Sequence, residues 1–150
     1  MALKYIDSKT NCVLSKSIFL GRSLGATLAL ELATSYFPSG LLLDSVAPDL
    51  ACAVKAKLKN NVFLAPLIHL PMESVLQFNP KISASLETLK EIDIVIFQGE
   101  RDEIASFSQV TRAVNAYRNV DVIEVRGATH SNTHIIARDQ YLARLSALFK

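Results

Sequence analysis

Residues Ile18 to Ala33 read IFLGRSLGATLALELA, and they constrain the fold more than any other stretch of the chain. A short apolar run, Ile18-Phe19-Leu20, meets Gly21-Arg22-Ser23-Leu24-Gly25, and an Ala/Leu-rich helical run begins at once. This is G-x-S-x-G in a strand–turn–helix context. A serine that acts as a nucleophile must stand clear of its backbone. A sharp turn between strand and helix achieves this but crowds the residues two before and two after the serine. Glycine at both places removes the Cβ clash and tolerates unusual dihedrals. A helix starting beside the serine aims free N–H groups at any oxyanion formed there. Taken alone, the five residues fit an ordinary strand–helix turn equally well.

The rest of the chain narrows the choice. Its 150 residues suffice for one domain with a substantial core. Half of them are apolar, yet no apolar run approaches the roughly 20 residues of a membrane span. The opening MALKYIDSKTN lacks the charged-then-apolar layout of a signal peptide. A formal net charge of +2, with scattered Lys and Arg, gives no electrostatic footprint for nucleic acid. Cys12 and Cys52 sit in no metal or redox spacing and fit a reducing compartment, hence a cytoplasmic protein.

In chain order, Met1–Ile6 reads as the tail of a helix and Asp7–Ser17 as a polar loop. Ile18–Leu20 is the first strand. Leu24–Ser35 is a helix with Leu24, Leu28 and Leu32 on one face, and with Ala26, Ala29 and Ala33 suited to close packing on a sheet. Leu41-Leu42-Leu43 is a second, buried strand, followed by the loop Asp44–Pro48. Asp49 is a plausible N-cap for a helix reaching about Lys59. Phe63–Leu76, interrupted by Pro66 and Pro71, predicts short helical pieces, and Ser85–Lys90 one further turn. Residues 49–90 together read as a cap insertion over a pocket. Ile92–Gln98 is a strand buried on both faces, and Ser106–Tyr117 an amphipathic helix presenting Phe107, Val110, Val114 and Tyr117. Val120–Val125 is the last strand, and Asp139–Phe149 a closing helix with Tyr141, Leu142, Leu145 and Leu148 facing inward. Strands alternating with helices predict a parallel α/β sheet of about four strands in one domain.

Ligands of an open parallel sheet bind beyond the C-terminal ends of its strands. Ser23, Asp102 and His130 each follow a strand there, in the order Ser, Asp, His. His130 would take the Ser23 proton and return it to a leaving group, and Asp102 would hold the imidazole tautomer. The Leu24 N–H would donate to the oxyanion. With these residues in view, the chain resembles the C-terminal half of an α/β-hydrolase-fold serine hydrolase of the esterase, thioesterase and serine-aminopeptidase-like kind. GRSLGATLALELA, GLLLDSVAP, IVIFQGERDEI and VIEVRGATHSN carry the likeness. It implies cleavage of a small carboxylic ester, thioester or amide through an acyl-enzyme on Ser23, with no metal or cofactor.

Other residues have readings of their own. Asp44 is the second choice for the acid, with a loop hydrogen bond as its structural role. Arg22 makes an ion pair or faces the pocket. His134 is a surface or pocket-rim residue, His69 is packed in the cap, and Ser45 and Ser131 are loop residues. A nucleotide- or flavin-binding domain is disfavoured, since neither G-x-G-x-x-G nor a P-loop lysine is present.

The resemblance also implies a truncated domain. The elbow normally follows a fifth strand, but here it follows the first. A second oxyanion donor, worth about 100- to 1,000-fold in rate, would be missing. Ile18-Phe19-Leu20 would become an apolar edge that recruits a complementing N-terminal half or a second copy. The competing reading is a catalytically inactive fragment that acts by binding such a partner.

Overall fold

The computed structural model describes residues 13–59, 63, 65–76 and 79–149; the expected helix tail at Met1–Ile6, most of the loop after it, and Cys12 lie outside the described residues. Four strands form one parallel sheet in the order β1-β2-β3-β4. They are β1 (Ile18–Arg22), β2 (Gly40–Asp44), β3 (Asp93–Gly99) and β4 (Val120–Val125). The helices are α1 (Leu24–Tyr36), α2 (Leu50–Lys59), α3 (Met72–Val75), α4 (Ile82–Thr88), α5 (Phe107–Val114), α6 (Thr133–Ile136) and α7 (Arg138–Leu148). Short 3-10 turns occupy Leu14–Lys16 and Ala65–His69.

Side chains alternate across a strand, so each continuous apolar run serves two cores. Leu41, Leu43, Ile94 and Ile96 point to one face and pack with Ala26, Ala29, Leu30 and Ala33 of α1, Leu86 of α4, and Val110 and Val114 of α5. Leu42, Val95 and Phe97 point to the other face, where Ala137, Leu148, Tyr141 and Leu145 cover them. The Phe97 and Tyr141 rings meet with centroids 5.0 Å apart. Central strands β2 and β3 are buried almost throughout, as their composition demands.

The edge strand β1 is different. Its residues are only half-buried, and Leu20 is 51% exposed. The leucine face of α1 is also bare, with Leu24 54%, Leu28 46% and Leu32 41% exposed, while the alanine face is the one that meets the sheet. Small residues win that contact because they let helix and strand backbones approach closely. Ile18, Phe19, Leu20, Gly25, Leu28 and Leu32 consequently line an open apolar groove of about 430 Å³.

The segment between β2 and β3 starts as its sequence indicates. Asp49 Oδ1 accepts from the Cys52 N–H at 2.6 Å and caps α2. A bridge between Asp49 and Lys81 draws the ends of the segment together, helped by Asn79 Oδ1 accepting from Ala51 N–H at 2.9 Å. Three expectations need correction. The turn placed at Ser85–Lys90 is α4, beginning earlier at Ile82 because Ile82 and Leu86 reach the core one helical turn apart. His69 is exposed rather than packed, since the turn carrying it buries no residue. Leu142 is 51% exposed, because the apolar stripe of α7 is narrower than drawn and runs through Tyr141, Leu145 and Leu148.

The predicted helix at Ser106–Tyr117 ends at Val114, and its start is a complete capping box. The Gln109 N–H donates to Ser106 Oγ, and the Ser106 N–H donates to Gln109 Oε1. Tyr117 lies past the helix and packs against the same core, its hydroxyl donating to Ser83 O at 3.0 Å. Ser106→Ala should lower stability by about 1 kcal/mol. Urea unfolding checks this, with the exposed Ser146→Ala in α7 as the control.

Candidate active site

The turn after β1 does what its glycines suggest, though only one of them is required by contact. Ser23 has φ 53° and ψ −122°, a left-handed conformation that a residue with a Cβ avoids. A Cβ on Gly21 would lie 2.4 Å from the carbonyl oxygen of Gly25 and 2.6 Å from the Ala26 Cα, so the first glycine is obligatory. A Cβ on Gly25 would meet nothing within 4 Å. The expected clash at the second glycine is therefore absent, because that face of α1 looks into the open groove.

Asp102 and His130 come from two neighbouring strand exits. The loop after β3 carries Asp102, and the loop after β4 carries His130. These loops are stitched together by the Arg101 N–H donating to Ala128 O at 2.8 Å and the Gly127 N–H to Glu100 Oε2 at 2.7 Å. Gly99 lets them approach, since a Cβ there would lie 2.6 Å from Ala128 O. As a result Ser23 Oγ lies 2.8 Å from His130 Nε2, and His130 Nδ1 lies 2.9 Å from Asp102 Oδ2. All three residues singled out in the sequence meet in one hydrogen-bonded chain.

Asp102 is buried and fully engaged. Its Oδ1 accepts from the N–H groups of Ile104 at 2.8 Å and Ala105 at 3.0 Å. Its Oδ2 accepts from Gln98 Nε2 at 2.7 Å. Burial alone would push this carboxyl up, but the His130 hydrogen bond and the two backbone donors outweigh burial and hold it below the usual carboxylate range. From the sequence alone Gln98 has no assigned role. Its signal is a polar side chain directly after the apolar run IVIF in a strand expected to be buried on both faces, pointing to a buried partner.

The remaining candidates sort cleanly. Asp44 is completely buried but makes no hydrogen bond to His130; its Oδ1 accepts from Ser45 Oγ at 2.8 Å. Arg22 pairs with it, Nε to Oδ2 at 3.8 Å, and His134 Nδ1 stands 3.4 Å from the same oxygen. Ser45, with φ 54°, is itself in a left-handed turn, and Ser131 is an exposed loop residue. Leu24 opens α1, so its N–H has no acceptor in the preceding turn of helix. A hollow of about 50 Å³ lies against Ser23, lined also by Leu24, Thr27, Leu50, Ala53, Ile104 and His130. Among the described residues no group of three or more His, Cys, Asp or Glu side chains is arranged to hold a metal ion, and no helix is long and apolar enough to cross a membrane.

No family model matches the sequence, and no curated protein is similar to it. Solved structures are similar in fold. An esterase of Pyrococcus furiosus superposes with a TM-score of 0.73 at 16% identity, over 98% of this chain and 57% of that one. The esterase domain of a Rhodothermus marinus protein gives 0.67 at 13% identity, over 98% and 65%. An alpha/beta hydrolase of Novosphingobium aromaticivorans gives 0.64 at 14% identity, over 98% and 69%. The chain therefore has the fold of the α/β-hydrolase superfamily. Its four parallel strands and flanking helices are part of that fold, spanning between 57% and 69% of the length of those three structures.

The Asp102 environment makes a pH prediction. A carboxyl whose folded pKa is depressed contributes stability that is present above its unfolded pKa, near 3.9, and is lost as pH falls through the lower folded value. Melting temperature should thus fall as pH drops below about 4. Asp102→Asn should be less stable at neutral pH, with a flatter acid limb, and thermal melts from pH 2 to 7 check both.

Proposed function

We propose that the chain is a serine hydrolase that cleaves a carboxylic ester, thioester or amide through an acyl-enzyme on Ser23. The observation that carries this reading is the unbroken chain Ser23 Oγ–His130 Nε2–His130 Nδ1–Asp102 Oδ2, at 2.8 and 2.9 Å. Ser23 Oγ attacks the acyl carbon while His130 Nε2 takes its proton, and the same proton then passes to the leaving group. Asp102 holds Nδ1 protonated and stabilises the imidazolium. Water next attacks the acyl carbon, with His130 again the base, and Ser23 is regenerated. The Leu24 N–H and the positive end of α1 face the oxyanion. No step calls on a metal or cofactor.

The small hollow beside Ser23 favours a short acyl group of a few heavy atoms. Leu50 and Ala53 of α2 form part of its wall, which supports a cap role over the acyl site for the start of the 49–90 insertion. The apolar groove on β1 and α1 is the surface where a complementing chain or a second copy would add a strand beside β1. A complementing chain that also brought a second oxyanion donor would raise the rate by about 100- to 1,000-fold. A binding role without turnover is the alternative, and the open, apolar lining of that groove is the observation in its favour.

A fluorophosphonate probe should label Ser23 in the folded wild type and leave Ser23→Ala unlabelled. Asp102→Asn should slow p-nitrophenyl acetate hydrolysis by about 10⁴-fold, since it leaves the imidazole in the wrong tautomer. Folded protein that resists the probe would leave only the binding role. Self-association through the groove is a separate expectation: Leu28→Lys with Leu32→Glu should shift sedimentation toward monomer and leave the far-UV circular dichroism of the folded chain unchanged, because both positions are exposed.

A further inference from the structure

Arg22 stands between the nucleophile and the strand beside it, and the proposed chemistry does not use it. It is the last residue of β1, in register with Asp44, the last residue of β2. Its guanidinium reaches in two directions. Nη2 donates to the main-chain carbonyl of His130 at 2.8 Å, and Nε lies 3.8 Å from Asp44 Oδ2. The first contact crosses 108 residues of sequence and ends on the residue whose ring must face Ser23. We propose that Arg22 is a positioning residue: anchored on the buried Asp44 carboxylate, it clamps the His130 backbone so that the imidazole is presented to Ser23.

Three observations support the clamp. First, Asp102 restrains the ring of His130, but a ring is only as well placed as the backbone that carries it. That backbone lies in the loop between β4 and α6, which includes Gly127 at φ 73°. Second, the same loop packs against the β2 exit at another point. Ser45 Oγ and Thr133 Oγ1 lie 3.2 Å apart, and Thr133 Oγ1 donates to Thr129 O at 3.0 Å. The β2 exit is thus the platform on which the histidine loop rests, and Arg22 is the link that reaches His130 itself.

Third, Asp44 is otherwise costly. Its Oδ2 is buried with no hydrogen-bond partner, and burial pushes its carboxyl up, against the Ser45 hydroxyl and the charges of Arg22 and His134. The groups facing it are Arg22 from β1, Ser45 beside it, His134 from α6, the more distant His130, and Tyr141 from α7. The Tyr141 hydroxyl is itself pushed up to about 12 by burial first and by the Asp44 charge second. A buried carboxylate is tolerable beside a cation, and a planar guanidinium can serve it while still donating along another edge. A lysine offers a point charge on one flexible stem and would have to choose between the two contacts.

The proposal rests on the hydrolase reading, so its test has one readout that needs no turnover. In the full chain, Arg22→Gln should lower kcat for p-nitrophenyl acetate by about 10- to 100-fold, the scale of a small misplacement of a reacting group, with KM unchanged. Arg22→Lys should fall between that variant and wild type. In parallel, the downfield proton resonance of the His130 Nδ1–H, shared with Asp102, should shift and broaden in Arg22→Gln. If Arg22→Gln fails to fold, Arg22→Lys carries both measurements. A raised KM with unchanged kcat would make Arg22 a substrate contact and overturn the clamp. An unaltered resonance and kcat, even with a lower melting temperature, would reduce Arg22 to a stabilising ion pair. If the wild type shows the resonance but no turnover, the hydrolase reading fails, and the resonance in the variants still decides the clamp.

Discussion

At Ser23 the backbone is held at φ 53° and ψ −122°, and the surrounding structure supports that conformation from three sides. A left-handed non-glycine residue costs about 1–3 kcal/mol and persists only where neighbours over-determine it. The Ser23 N–H donates to Asp44 O at 2.8 Å, which extends the β1–β2 ladder by one step past Arg22. The Ser23 carbonyl accepts from Ala26 and Thr27 and starts α1. Gly21 leaves room for the returning helix, whose Gly25 carbonyl comes closer than any side chain could allow. The next strand repeats the arrangement: Ser45, at φ 54°, donates to Phe97 O at 2.9 Å. Two left-handed strand exits side by side hold Ser23 and Asp44 firmly at the C-terminal end of the sheet.

Burial and polarity coexist at that end of the sheet. Asp44, Gln98, Asp102 and His130 are all buried, within a core built mainly of Leu, Ile, Val, Ala and Phe. Buried polar groups are tolerable when satisfied. Asp102 is satisfied three ways besides its histidine, by Gln98, Ile104 and Ala105. Asp44 is satisfied on one oxygen only, and the Arg22 guanidinium, 3.8 Å from the other oxygen, supplies charge where a hydrogen bond is absent. The two aspartates thus have opposite characters despite similar positions after a strand. Hydrogen bonds outweigh burial at Asp102, whereas burial dominates at Asp44.

The flanks of the sheet differ as sharply as its aspartates. The α5 side is finished, with a capping box and a continuous buried stripe through Val110 and Val114. Among the described residues the β1 side is not covered: edge strand, leucine face and an unopposed Gly25 form one apolar surface. An apolar edge with free ladder positions is a place where another strand can add. The same surface lies one residue from Ser23, so whatever covers it also borders the site.

Much of this was legible in the residues themselves. Ile18–Leu20, Leu41–Leu43, Ile92–Gln98 and Val120–Val125 announced the strands, because runs of apolar and β-branched residues that short have no stable alternative. Ser23, Asp102 and His130 stood out because each follows a strand at the end where a parallel sheet binds ligands. Tertiary structure alone decided the rest. It turned the alanine face of α1 inward and left Leu24, Leu28 and Leu32 outside, a choice set by how closely a helix can approach the sheet rather than by hydrophobicity. It recruited Gln98 and joined Arg22 to His130, since those outcomes depend on which loops lie side by side. Periodicity reports which way a side chain faces within its own element; only the folded sheet determines what it meets there.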